Sequence, residues 1–174
     1  MELRILRRES LALAPAEWLD CAIGETGEIV ARGPITMLGY WERPEASAET
    51  IREGGWLVTG DLGCFDADGF LTLTGRSKDM FISGGENVYP RQVEAVYEEH
   101  PAVLEIAVVG VPDERWGEVG RAFIVARDGA PLDADALRAW GRERLAAFKV
   151  PRSFTALAAL PRTASGKVQK HRLG

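Results

Sequence analysis

Near Gly75 the hydrophobic pattern of this chain changes period, and that change limits the folds open to it. Before Gly75 the apolar stretches are short, alternating and cut by glycine. Gly27 to Arg32 reads as a half-buried strand ended by Gly33-Pro34. Pro44 to Arg52 suits a short helix closed by Gly54-Gly55. Trp56 to Thr59 is apolar and extended, and Phe70 to Thr74 is rich in strand formers. Asp66-Ala67-Asp68-Gly69 forms a turn between these two, because Asp supplies a local acceptor and Gly a positive φ.

After Gly75 a helical period enters. Tyr89-Pro90 opens a helix, since proline fits the first helical position. Val93, Val96 and Tyr97 then share one face, and His100-Pro101 ends it. Ile106–Val111 and Ala122–Ala126 are antiparallel partners joined by the loop 112–117. Asp133 caps a second helix carrying Leu137, Trp140 and Leu145. A last strand, Phe154 to Leu157, precedes a basic tail. The expected class is α+β: a small, mostly β segment (residues 1–75), then a compact α+β unit (76–174) with two or more helices on a small sheet.

Composition narrows the function. A net charge of −5 over 174 residues argues against non-specific nucleic-acid binding. No apolar run approaches the roughly 20 residues of a transmembrane helix, and MELRILRRES is too short and charged for a secretory signal. Cys21 and Cys64 lie far apart and the chain has 2 histidines, so no metal site is expected. Free thiols and a cytoplasmic location follow.

Three segments carry chemistry. In Thr59-Gly60-Asp61, a carboxylate held in a turn after a strand can accept both hydroxyls of a ribose, or can bond its own backbone. In the run from Gly75 to Pro90, Arg76 offers five fixed donors, and Gly84-Gly85 permits close approach of a ligand to the backbone. An ordinary surface hairpin is the alternative. In the run from Leu160 to Lys170, Lys167 on a glycine-containing loop can bring positive charge to a phosphate, or can lie in a frayed terminus. This last segment is not a P-loop, because Pro161 and Val168 stand where that motif needs Gly and Ser or Thr.

The order and spacing of these segments resemble the adenylate-forming superfamily: acyl-CoA synthetases, luciferases and peptide-synthetase adenylation domains. Gly27-Glu28-Ile29, Gly39-Tyr40-Trp41, Gly55-Trp56-Leu57, Glu94-Ala95-Val96, His100-Pro101-Ala102-Val103, Val109-Gly110-Val111-Pro112-Asp113 and Phe148-Lys149-Val150-Pro151 extend the resemblance from about Gly24 to Leu173. The first 20 or so residues do not share it. The resemblance implies roles. Asp61 would bind the ribose of ATP and AMP, and Arg76 would help hold the nucleotide. Lys78 would be the hinge of a small rotating domain. Ser83, Gly84 and Gly85 would line the path of CoA, and Lys167 would serve adenylation.

The reaction implied is carboxylate plus ATP plus CoA giving acyl-CoA, AMP and diphosphate through an acyl-adenylate. ATP with Mg2+ and CoA would be co-substrates beside a carboxylic acid. Such enzymes run to roughly three times this length, within the multi-domain range. The phosphate loop, the acyl pocket and the residues that hold magnesium are not in the chain, so a missing amino-terminal domain is an expected partner. On this reading the chain is a carboxy-terminal fragment, inactive alone. Two alternatives stand beside it: a peptide-synthetase adenylation domain, which usually carries Asp at the hinge where Lys78 stands, and a stand-alone module that binds a ligand or partner without catalysis.

Overall fold

The computed structural model describes residues 1–127 and 130–173. Its class is α+β, with two sheets, and its contacts divide it into Met1–Lys78 and Asp79–Gly174.

The first unit is an antiparallel sheet. Strands β1 (Glu2–Leu6), β2 (Gly27–Arg32), β4 (Trp56–Phe65) and β3 (Ile51–Arg52) lie in the order β1-β2-β4-β3, and β5 (Leu71–Arg76) also pairs with β4. Helix α1 (Pro44–Thr50) ends two residues short of the expected Arg52, where the chain enters β3. Strand β2 differs from the alternating reading, because Gly27 to Ala31 are all buried. It is flanked by β1 and β4, so its polar Glu28 goes inside with its apolar neighbours. Leu6, Trp18, Val30 and Trp56 form the core, with the two tryptophan rings edge to face at 6.3 Å. The Asp66–Gly69 turn forms as read, with Asp66 Oδ1 accepting the N–H groups of Asp68 and Phe70.

The second unit is built on a long hairpin, β8 (Val103–Asp113) with β9 (Gly117–Ala126). Asp113 Oδ1 accepts the N–H groups of Arg115 and Trp116, and Gly117 sits at φ +76°, which tightens the turn into fewer residues than the expected loop. On its other edge β9 pairs in parallel with β10 (Ser153–Ala156) and, at Gly117, antiparallel with β6 (Phe81–Ser83). Strand β6 forms a small hairpin with β7 (Glu86–Val88).

Helix α2 (Pro90–Glu98) buries Val93 and Tyr97. Helix α3 (Ala134–Arg144) is capped as expected, Asp133 accepting from the N–H groups of Asp135 and Ala136. Such a cap stabilises a helix by about 1 kcal/mol. Leu145 lies just past α3 in extended backbone, yet packs on the same core. Trp140 Nε1 donates to Val96 O at 3.0 Å and ties the two helices together.

Candidate functional site

In the first unit, Asp61 lies within β4 rather than in a turn after it, directly opposite Arg76 of β5. The strand continues because Gly60 takes φ +75° and a bulge follows between Leu62 and Gly63, so the backbone kinks without leaving the sheet. Thr59 Oγ1 donates to Ile29 O at 2.7 Å and accepts the Asp61 N–H at 3.1 Å, which fixes the kink. Arg76 Nε stands 2.9 Å from Asp61 Oδ1, and both side chains are more than a third exposed. A guanidinium and a carboxylate thus meet at an open rim. Beside them is a cavity of about 390 Å³ lined by Arg8, Gly60, Arg76, Ser77 and Lys78. Ser77–Asp79 is a single helical turn, and Lys78 is exposed.

Glu28 was not singled out in the sequence. It is 2 % exposed, and its Oε1 has no hydrogen-bond partner among the described residues. Burial pushes its carboxyl up from the ordinary value, against the opposing pull of the Ser77 hydroxyl, the Arg8 charge and the Gly60 amide. The signal was present, since Glu28 sits beside the apolar run Ile29-Val30-Ala31.

In the second unit, Gly84 and Gly85 form the two-residue turn between β6 and β7, at φ +61° and +88°. Positive φ at both positions is what a tight hairpin turn with glycine requires. Gly84 N–H donates to Trp116 O, and a Cβ at Gly84 would stand 2.7 Å from Trp116 Cε3. The indole therefore lies against a bare backbone. Ser83 is buried and lines a cavity of about 400 Å³ with Trp116, Phe148, Arg138, Arg142 and Arg152. Among the described residues, Arg142 and Arg152 form no ion pair. Sequence reasoning missed these arginines, because Arg138 and Arg142 are one helical turn apart on α3 while Arg152 comes from the approach to β10.

Lys167 is exposed on a tight turn. Thr163 N donates to Lys167 O at 2.8 Å, Gly166 N donates to Thr163 O at 2.9 Å, and Arg162 bridges to Val168. Gly166 sits at φ +83°. The basic segment is thus an ordered turn rather than a frayed end. None of its residues lines the cavity of Ser83. Among the described residues no cluster of three metal-ligating side chains occurs.

Residues 92–167 match the family described as AMP-binding enzyme C-terminal domain. A feruloyl-CoA synthase from Amycolatopsis is 53% identical over 147 residues, which are 84% of this chain and 30% of that enzyme. Over residues 92–167 the chain carries the C-terminal domain of the adenylate-forming, AMP-binding superfamily. It spans about 30% of the length of the curated relatives it matches. Within this superfamily, the o-succinylbenzoate CoA synthetase of Bacillus subtilis, solved with the acyl-adenylate OSB-AMP, superposes with a TM-score of 0.87 at 41% identity. That match covers 99% of this chain and 33% of the other. The same enzyme solved with ATP and a magnesium ion gives 0.86 at 40%. An amide bond synthetase from Marinactinospora thermotolerans gives 0.88 at 42%, covering 99% of this chain and 34% of its own.

Proposed function

We propose that this chain is the carboxy-terminal part of an ATP-dependent acid–thiol ligase that makes acyl-CoA by way of an acyl-adenylate. Residues 1–75 would close the large nucleotide-binding domain and 76–174 would form the small mobile one. In the first step a carboxylate oxygen attacks the α-phosphorus of ATP and diphosphate leaves. Two anions meet there, so a cation must stand where negative charge develops. Lys167 supplies it. Asp61 accepts from the ribose hydroxyls, Arg76 orients Asp61 and faces the nucleotide, and Lys78 is the hinge. In the second step the CoA sulfur attacks the acyl carbon and AMP leaves. Ser83, Gly84 and Gly85 give the thiol arm a path along bare backbone. The described residues do not fit a magnesium site, so no step here runs through the metal. The cytoplasm is the compartment that suits ATP and CoA as co-substrates.

The observation that carries the reading is a separation within residues 79–174: Ser83 lines one cavity, whereas Arg162 and Val168, at the two ends of the Lys167 turn, line a second one of about 290 Å³ with Glu94 and Lys170. One unit therefore carries parts suited to two different half-reactions. The likeness to an amide bond synthetase raises an amine as the second nucleophile. The arginines around Ser83 favour CoA, because a phosphorylated carrier pairs with guanidinium groups and a simple amine does not.

The test is to separate the steps in the full-length enzyme. Lys167→Ala should cripple adenylate formation and leave thioester formation from supplied acyl-adenylate nearly intact. Equal loss in both steps would refute the division. Arg142→Ala with Arg152→Ala should raise KM for CoA and leave turnover with pantetheine unchanged.

A further inference from the structure

Lys167 stands between two ion pairs that hold its turn to the body of the second unit. On one side, Arg162 Nη2 lies 3.0 Å from Glu105 Oε2 at the exposed surface. On the other, Lys170 Nζ lies 2.6 Å from Glu94 Oε1, across 76 residues of sequence. The second contact differs from the first in burial: Glu94 is 6% exposed. The same Glu94 Oε1 accepts the Val108 N–H at 2.8 Å. Strand β8 pairs only with β9 among the described strands, so this glutamate satisfies a backbone donor on the unpaired edge of β8. One carboxylate oxygen on α2 therefore joins α2, β8 and the segment that follows Lys167.

Apolar contacts hold the base of the turn. Val168, Leu160 and Leu173 pack around Ala107 and Phe123. Such contacts are non-directional and fix distance better than rotation. A buried, charge-assisted hydrogen bond is directional, and a buried carboxylate whose partner is removed is strongly penalised. The pair therefore fixes how the turn is rotated on its base.

We propose that Glu94 is a positioning residue for Lys167: through Lys170 it fixes the direction in which the Lys167 turn presents its ammonium. This rests on the reading of Lys167 as the adenylation lysine. Glu94 acts through Lys170 rather than on the reacting atoms. Its carboxylate costs the adenylation step when lost, because reacting groups displaced by about 1 Å lose up to about 100-fold in rate.

Two measurements test it. On the 174-residue chain, amide hydrogen exchange at Gly166 and Lys167 should quicken in Glu94→Gln and in Lys170→Met, and return to the parental rate in Lys170→Arg. In the full-length enzyme, Lys170→Met should lower kcat for adenylate formation about 10- to 100-fold and leave thioester formation from supplied adenylate unchanged, with Lys170→Arg restoring most of the loss. Lys170 is partly exposed, so Lys170→Met serves even where Glu94→Gln fails to fold. Equal loss in both half-reactions, or unchanged exchange at Lys167, overturns the proposal. If Lys167→Ala leaves adenylation intact, the role of Lys167 itself has failed, and the exchange data still report whether the pair orders the turn.

Discussion

The joint between α2 and α3 offers a sharp test of the packing that supports the arginine-lined cavity. Tyr97 on α2 is fully buried, and its Oη has no hydrogen-bond partner among the described residues. A Cβ built on Gly141 of α3 would stand 2.1 Å from that Oη, 3.0 Å from Tyr97 Cζ and 3.3 Å from Val150 Cγ1. In Gly141→Ala the helix gains about 1 kcal/mol of propensity. It loses about 3 kcal/mol to overpacking, since a tyrosine ring in a closed core cannot retreat without moving backbone. The net loss is about 2 kcal/mol, or about 10 °C in Tm for a unit of this size.

Tyr97→Phe removes the orphaned hydroxyl and should leave stability unchanged or raise it by about 1 kcal/mol. With that substitution already in place, the nearest contact to a new Cβ becomes the ring carbon, so Gly141→Ala should cost about 1 kcal/mol or less. The coupling of about 1–2 kcal/mol can be read from thermal melts of the parent, the two single variants and the double variant by circular dichroism at about 222 nm. The two longer helices are both in the second unit, so that signal follows it. Equal costs of Gly141→Ala with and without Tyr97→Phe would refute the argument. A pH arm checks the same hydroxyl. Burial pushes Tyr97 up to about 12. Between the ordinary value of about 10 and that point, the unfolded chain has lost the proton and the folded one keeps it, so stability falls as pH rises. Tyr97→Phe should flatten that fall.

Burial also raises Glu28 above the ordinary glutamate range, so its contribution to stability is present at acid pH and is lost as pH rises through the folded value. Glu28→Gln should therefore stabilise the chain at about pH 7, with the gain vanishing near about pH 4; a melt showing destabilisation at neutral pH would contradict it. Trypsin should cut first at exposed Lys78, since Arg76 is held in β5, and leave a resistant fragment beginning at Asp79 that melts cooperatively. First cleavage at Lys149 or Arg115 would count against the boundary.

Local chemistry was legible wherever one short segment decides the outcome. The Asp133 cap, the Asp66–Gly69 turn and the glycine hairpin each depend on residues within a few positions of one another. Asp61 was misread as a turn residue because a positive-φ glycine in sequence looks the same at a turn and at a bulge. Strand β2 was misread as half-buried because its coverage depends on β1, which holds none of the familiar motifs. Ile29 of the same strand is likewise buried within the chain. The arginines around Ser83 and the partner of Lys170 were invisible for a different reason: each depends on elements brought together across tens of residues.

Strand β10 is the one parallel partner in its sheet among the described strands, and this has a kinetic consequence. A parallel neighbour cannot be reached by a tight turn; it needs a crossover, and here the chain passes through α3 before returning to β9. The β8–β9 ribbon closes a loop of a few residues, whereas β10 can join only after a far larger loop has been closed, at greater entropic cost. The ribbon should therefore nucleate and β10 should add late, giving φ-values near zero at Phe154 and well above it at Val108. Everything downstream of β10, including the turn that bears Lys167, is then acquired after the barrier. Substitutions there should change how fast the unit unfolds while leaving its folding rate nearly untouched.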